Sequence, residues 1–138
     1  MILNLIKNLL TELGDEVDSL DLLSEQLIVD FLKSKNNVVY LIKNATTIVG
    51  LFTLSETTSI YAGGKYGIIN EFYIIPAERQ KNIGRAAINF IKQFGQNKGW
   101  QRIVVTAPTG SEWTRTIKFY EENGFVFTGP KLKLILNE

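Results

Sequence analysis

The sequence predicts an α/β domain with a mixed central β-sheet flanked by helices. Three observations predict it. Two apolar stripes with helical spacing open the chain, at residues 2–13 and 22–32. Short β-branched and aromatic segments then follow one another closely enough to form an antiparallel meander. Finally, an apolar strand near 66–75, a helical pattern at 83–98 and a strand at 102–107 have the spacing of a right-handed βαβ unit.

Each element follows from its own residues. Ile2, Leu5, Ile6, Leu9, Leu10 and Leu13 share one helical face, and Gly14 is the stop signal. Leu22, Leu23, Leu27, Ile28, Phe31 and Leu32 form the second stripe, with Ser19 or Asp21 as the expected cap. KSKNN breaks that helix. VVYLI (38–42) and IVGLFTL (48–54) read as a hairpin turned at Asn44 and Ala45. Gly50 marks a bulge or a close backbone approach. TSIY (58–61) reads as a third strand, turned by Ala62, Gly63 and Gly64.

The strand Tyr66–Ile75 is apolar with little alternation, as a central strand covered on both faces would be. Asn70 and Glu71 interrupt it, and such a polar pair needs partners or a cavity. Pro76 ends it. Ile83, Ala87, Phe90, Ile91 and Phe94 form one face of the next helix, which Gly95 or Gly99 ends. RIVVTA (102–107) is a strand. A helix follows over Glu112–Asn123, with Gly124 just beyond it. FVFTG and KLKLIL read as two final strands separated by Gly129 and Pro130. No linker, repeat or low-complexity tract divides the 138 residues, so a single domain over 1–138 is expected.

Composition removes several chemistries. The chain has no cysteine and no histidine, which excludes disulfides, zinc–thiolate sites and histidine bases. No paired acidic motif suggests a carboxylate magnesium site, so no metal is expected. No run of eighteen apolar residues occurs, and the start lacks a small-residue cleavage site. A cytoplasmic protein with no membrane partner is the expectation. Charge is uneven: residues 1–30 hold seven acidic groups and one lysine, while residues 31–138 hold fourteen basic and seven acidic groups. The basic residues form no long stripe and no nucleic-acid motif appears, so no specific nucleic-acid partner is expected.

The stretch PAERQKNIGRAA (76–87) carries the most chemistry. It joins the apolar strand to a helix whose first N–H groups are unpaired and whose N-terminus carries partial positive charge. Gly84 lets a ligand approach without a Cβ in the way. Arg79, Lys81 and Arg85 add cationic donors, and arginine grips phosphate oxygens in pairs. Residues 79–85 therefore read as a pyrophosphate cradle or, more plainly, as a solvated basic turn. The turn is neither a Walker loop nor a G-x-G-x-x-G dinucleotide motif.

The segment IINEFYIIPAERQKNIGRAAINFI resembles the signature region of the GCN5-related N-acetyltransferases. In that family a strand ending in V-x-P leads to R-x-x-G-x-G/A and a helix. The matching residues are Ile74-Ile75-Pro76, then Arg79, Gln80, Lys81, Asn82, Ile83 and Gly84. TRTIKFYEENGF (114–125) resembles the second signature, A-x-x-F-Y-E-x-x-G-F, and the hairpin at 38–54 matches the early hairpin of the family. The resemblance covers roughly residues 36–136. Asn82 stands where the family has its first glycine, an asparagine being tolerant of unusual backbone angles and able to cap a helix. Trp113 replaces a common asparagine and Thr116 an alanine, and the family's first strand is not evident before the helix at 2–13.

The resemblance implies an acetyltransferase-like sheet with a splayed pair of central strands, and acetyl transfer from acetyl-CoA directly to a primary amine. It places pantetheine along Phe72, Tyr73 and Ile74, paired with the backbone N–H groups after Phe72, one of which would polarise the thioester oxygen, and pyrophosphate at residues 79–85. With no histidine, Glu71 is the first candidate for the base that frees the amine; its bland role is to cap a backbone group or pair with a lysine. Tyr120 matches the family tyrosine that protonates the departing thiolate; its bland role is a core position beside Phe119 and Phe125. Tyr73 lines either the acceptor side or the core, and Trp113 is either core or lid. The acidic segment, with Asp15, Glu16, Asp18 and Asp21, would suit a cationic small-molecule or peptide amine. A non-catalytic CoA- or acyl-CoA-binding regulatory domain is the alternative. Homodimers are common in the family, and KLKLIL offers an edge for pairing.

Overall fold

A computed structural model of the chain describes residues 1–13, 22–108 and 113–136. These fall into two compact units, Met1–Val105 and Thr106–Glu138. The first unit opens with helix α1, Ile2–Leu13, as the apolar stripe predicts. Helix α2 is Glu25–Lys33. Its cap corrects the expectation of Ser19 or Asp21, both of which lie outside the described residues. Ser24 Oγ accepts the Leu27 N–H at 3.1 Å, so Leu22 and Leu23 precede the helix. A serine three residues ahead of the bonded amide supplies the bond worth about 1 kcal/mol.

Strands β1 (Asn37–Asn44), β2 (Thr47–Ser59), β3 (Gly64–Ile74) and β4 (Ile103–Val105) form one sheet in the order β1-β2-β3-β4. The first two pairings are antiparallel and the last is parallel, so the sheet is mixed. Two expectations are corrected here. Residues 58–59 are not a separate strand: Thr58 pairs Lys65 and Ser59 pairs Gly64, so β2 runs on to a hairpin turn at 60–63. β4 is also shorter than 102–107. Among the described residues no strand precedes α1, and the sheet begins at Asn37.

Gly50 sits where the strands crowd. A Cβ there would lie 2.2 Å from Tyr73 O, so only glycine admits this approach of β2 to β3. The register shifts fall elsewhere, between Ile42 and Lys43 of β1 and between Thr53 and Leu54 of β2. At the second shift Thr53 faces Glu71 and Leu54 faces Ile69, which leaves Asn70 as the extra residue of a bulge in β3.

Helix α3, Ile83–Lys98, crosses back between β3 and β4. Gly99, not Gly95, closes it: the Gly99 N–H reaches Gln96 O and the Trp100 N–H reaches Gly95 O. The helix buries Ala87, Ile88, Ile91 and Gly95. Ile88 is absent from the stripe read in the sequence, and Phe90 is half exposed although its ring meets Tyr40 at 4.8 Å. Tyr40, Phe52, Phe72, Phe90 and Phe94 form an aromatic cluster between the sheet and α3. Leu51, Leu54, Ile88 and Ile91 are at most 1 % exposed, each burial contributing about 1.5–3 kcal/mol.

In the second unit helix α4 spans Thr114–Glu122, and Glu112 lies outside the described residues. Gly124 N–H to Glu121 O and Phe125 N–H to Tyr120 O close it, as expected for a glycine just past a helix end. The two final strands are not found: residues 125–136 join no ladder among the described residues. Alternation of K-L-K-L makes a segment competent for pairing, but a strand exists only where a second backbone supplies the hydrogen bonds. Leu132 and Leu136 are accordingly 90 % and 84 % exposed.

Candidate active site

The site is built where β3 leaves its parallel neighbour. β3 and β4 pair only at Gly67–Ile103, Ile68–Val104 and Ile69–Val105. Beyond Ile69 no strand pairs with that edge of β3 among the described residues. On the other edge, the Ile75 N–H reaches Val49 O at 2.9 Å, and the Glu71 N–H reaches Thr53 Oγ1 at 3.0 Å. Backbone groups alternate along a strand, so the Phe72 and Ile74 N–H and C=O groups face the edge away from β2. The Tyr73 N–H is turned toward β2.

Side chains alternate as well. Phe72 joins the aromatic cluster under α3, while Glu71 and Tyr73 stand on the opposite face with Thr53 and Leu51, their register partners. That face also carries a chain of amides and a hydroxyl: Asn70 Nδ2 donates to Ser55 Oγ (2.7 Å), and Ser55 Oγ donates to Asn37 Oδ1 (2.8 Å). Asn37 Nδ2 donates in turn to Phe31 O of α2 at 3.0 Å.

Glu71 is half-buried and accepts a hydrogen bond from the Thr53 hydroxyl through Oε1. Burial pushes its carboxyl above the usual range, and the Thr53 bond opposes that in part. Its Oε2 has no hydrogen-bond partner among the described residues. Because no buried side-chain oxygen or nitrogen there lacks a partner, Oε2 is reached by solvent.

The turn from β3 to α3 is a 3-10 turn at Pro76–Glu78 followed by two left-handed residues, Gln80 (φ 64°) and Asn82 (φ 63°). Asn82 precedes α3 without a side-chain cap, and Ala86 N–H to Asn82 O is the first bond of the helix. The N–H groups of Ile83, Gly84 and Arg85 are therefore in the unpaired first turn.

The three cations of this turn are not equivalent. Arg79 Nη1 and Nη2 each reach a Glu12 oxygen of α1 at 2.6 Å, Nε reaches Ile74 O at 2.8 Å, and the guanidinium lies 5.6 Å from the Tyr73 ring. Lys81 Nζ reaches Glu78 Oε2 at 2.6 Å, while Asn44 donates to Glu78 Oε1, and the two hold that carboxyl below its ordinary range. Arg85 is exposed and has no charge partner among the described residues. Tyr73 is buried, and its hydroxyl is raised by burial and by Glu12 against the lowering effect of Arg79.

Tyr120 belongs to the second unit. It is buried, with ring contacts at 5.3 Å to both Phe119 and Phe125, and burial pushes its phenol well above the ordinary tyrosine range. The sequence reading missed Glu12 and Thr53. Nothing in an amphipathic helix or an apolar strand marks them until the turn and the bulge set their partners.

Among the described residues no group of three or more Asp or Glu side chains is placed to hold a metal ion, and no helix is long and apolar enough to cross a membrane.

A mixed sheet whose parallel strand parts from its neighbour just before a bulge, with a helix N-terminus at the end of that neighbour, is the architecture of an acetyl-CoA-dependent acetyltransferase. The sequence agrees: residues 5–125 match the acetyltransferase (GNAT) family, and the chain belongs to it. No curated protein matches. Solved structures share the fold at low identity. An aminoglycoside acetyltransferase from an uncultured soil metagenomic sample superposes with a TM-score of 0.75 at 19% identity, covering 97% of this chain and 91% of the other. A transcriptional regulator from Bacillus halodurans C-125 gives 0.72 at 23% identity, covering 80% and 73%. A Trypanosoma brucei acetyltransferase gives 0.64 at 23% identity, covering 80% and 77%.

Proposed function

We propose that this protein transfers the acetyl group of acetyl-CoA directly to the primary amine of a cationic small molecule or peptide. The observation that carries the reading is the end of β3–β4 pairing at Ile69–Val105. Beyond that pair the backbone of Phe72 and Ile74 lies on the edge of β3 away from β2, and this edge leads to the first turn of α3. A pantetheine arm carries amides that suit such an edge, and a pyrophosphate suits N–H donors of residues 83–85 flanked by Arg85. Gln80, Lys81 and Asn82 shape the approach. Arg79 would reach a phosphate only by exchanging Glu12 for it; otherwise it ties α1 to the end of β3.

Acetyl-CoA supplies the acyl group as a thioester. Glu71 Oε2 takes a proton from the acceptor ammonium: an N–H bond breaks, an O–H bond forms, and the electron pair stays on nitrogen. That pair attacks the thioester carbon, while a backbone N–H on the edge of β3 away from β2 stabilises the charge growing on the carbonyl oxygen. The C–S bond then breaks with its electrons on sulfur. Tyr120, assigned by its signature match, gives its phenol proton to that sulfur, and the second proton of the attacking nitrogen leaves to the phenolate through solvent, so that the products are a neutral amide and a thiol; a phenol raised by burial holds its proton at neutral pH until then. No metal takes part in this scheme.

Seven acidic groups against one lysine in residues 1–30 favour a cationic acceptor. Asp15, Glu16, Asp18 and Asp21 of that segment lie outside the described residues. Two structural relatives carry the name aminoglycoside acetyltransferase, and aminoglycosides are polyamines. A soluble cytoplasmic protein is the setting proposed, with a homodimer paired through KLKLIL. The second reading, a non-catalytic CoA- or acyl-CoA-binding regulatory domain, draws on the relative named as a transcriptional regulator.

Calorimetric titration with acetyl-CoA, dephospho-CoA and ATP tests the reading, repeated on Gly84→Glu. Micromolar acetyl-CoA binding that weakens at least ~10-fold in Gly84→Glu is expected, since a carboxylate at a helix N-terminus displaces a phosphate by charge and bulk. No acetyl-CoA binding by the wild type would overturn both readings. Binding without turnover on a panel of polyamines, aminoglycosides and lysine peptides would leave the regulatory one.

A further inference from the structure

We propose that Thr53 is a positioning residue for Glu71, holding the carboxylate by Oε1 so that Oε2 is the oxygen that meets the acceptor amine. The inference rests on the proposed acetyl transfer and adds a residue to it.

The geometry is specific. Thr53 is 2 % exposed and sits on a strand otherwise buried through apolar side chains. The bulge at Asn70 sets Thr53 opposite Glu71, where the register shifts. The hydroxyl oxygen accepts the Glu71 amide at 3.0 Å, and the hydroxyl proton is donated to Oε1 of the same residue. A threonine hydroxyl has one proton, and this arrangement commits it to the carboxylate. Backbone and side chain of Glu71 are thus gripped by one atom. The β-branched side chain of Thr53 has few rotamers, so the grip is pre-set. Oε2 is left without a partner among the described residues and open to solvent.

A proton-accepting carboxylate needs one oxygen fixed and one free. It also needs to be charged at neutral pH despite burial. The Thr53 bond is the influence that favours the charged form. Burial is the larger influence on that carboxyl, and the Thr53 bond opposes it. From α2, Asp30 pairs with Lys33 at 3.5 Å on its exposed side.

The test is an NMR titration of the Glu71 side-chain carboxyl, assigned with Glu71→Gln, in wild type, Thr53→Val and Thr53→Ser. The same proteins give pH profiles of kcat/KM on the best amine found. Thr53→Val removes the hydroxyl at constant shape. It is expected to raise the Glu71 midpoint by about one to two units, the worth of a hydrogen bond to a charged group. The acid limb of kcat/KM should move with it, kcat should fall at least ~10-fold, and the acetyl-CoA Kd should not change. Thr53→Ser should restore all three. If Thr53→Val does not fold, Thr53→Ala takes its place. A midpoint and acid limb that stay put in a folded Thr53→Val, with wild-type transfer intact, would overturn this inference alone. A wild type that binds no acetyl-CoA would instead overturn the function on which it rests.

Discussion

Asn82 holds φ 63° and ψ 9° at the entry to α3, a left-handed conformation that costs most side chains about 1–2 kcal/mol. Asparagine is among the few residues that visit it routinely, which is why it can stand where the family has glycine. Its capacity to cap the helix goes unused, because no side-chain cap bond forms. Asn82→Gly should therefore keep the fold and acetyl-CoA affinity. Asn82→Val should lose about 1–2 kcal/mol in urea denaturation, with weaker acetyl-CoA binding, because a β-branched residue is a genuine outlier at this φ. A Val variant as stable as wild type would show that the turn relaxes elsewhere. At this scale Glu71 was legible in the sequence, as a charge interrupting an apolar strand. Thr53 was not. A threonine in GLFTLS is an ordinary strand residue, and which residue faces Glu71 depends on a one-residue bulge.

Elements are joined here by one aromatic wedge. Trp100, just past α3, lies against Gly67 of β3 and Gly95 of α3; a Cβ on Gly67 would come within 2.1 Å of the indole, and one on Gly95 within 2.8 Å. Its ring also meets Phe94 at 5.4 Å, and its Nε1 donates to Glu56 Oε1 of β2 at 2.7 Å. The wedge seats the C-terminal end of α3 and so the angle at which its N-terminus meets β3. Gly67→Ala should expel the indole, lower stability by about 1–3 kcal/mol and change tryptophan fluorescence. An unchanged urea midpoint and emission would rule out the wedge. Periodicity made α1, α3 and the hairpin legible, since each carries one apolar face. It misplaced the start of α2 and the end of β2, where hydrogen bonds at Ser24 and Ser59 decide the boundary.

Across the whole molecule, the buried carboxyl should show in stability against pH. Burial raises Glu71 above its ordinary value of 4.5, so the folded state binds that proton more tightly than the unfolded chain. Its contribution is fully present below the unfolded value and is lost as pH rises through the folded value. Glu78, lowered by Lys81 and Asn44, has the opposite sign and loses its contribution as pH falls. Comparing Glu71→Gln with wild type isolates the first. The Tm of Glu71→Gln should exceed that of wild type by a margin that grows from acid to neutral pH and then levels, while acetyl transfer falls by about 10²–10⁴-fold. A margin independent of pH would mean that Glu71 titrates as an exposed carboxyl does.

By itself the sequence determined the α/β class, the family signatures and the helix N-terminus after a central strand. These are local properties, written in apolar period, turn residues and spacing. Only the tertiary structure decided where the β3–β4 ladder ends, which oxygen of Glu71 is held by Thr53, and that among the described residues Arg79 and Lys81 have charge partners while Arg85 has none. Those depend on register, a single bulge and contacts between residues such as Glu12 and Arg79 that are 67 positions apart. No window of sequence contains both partners, and folding brings them together.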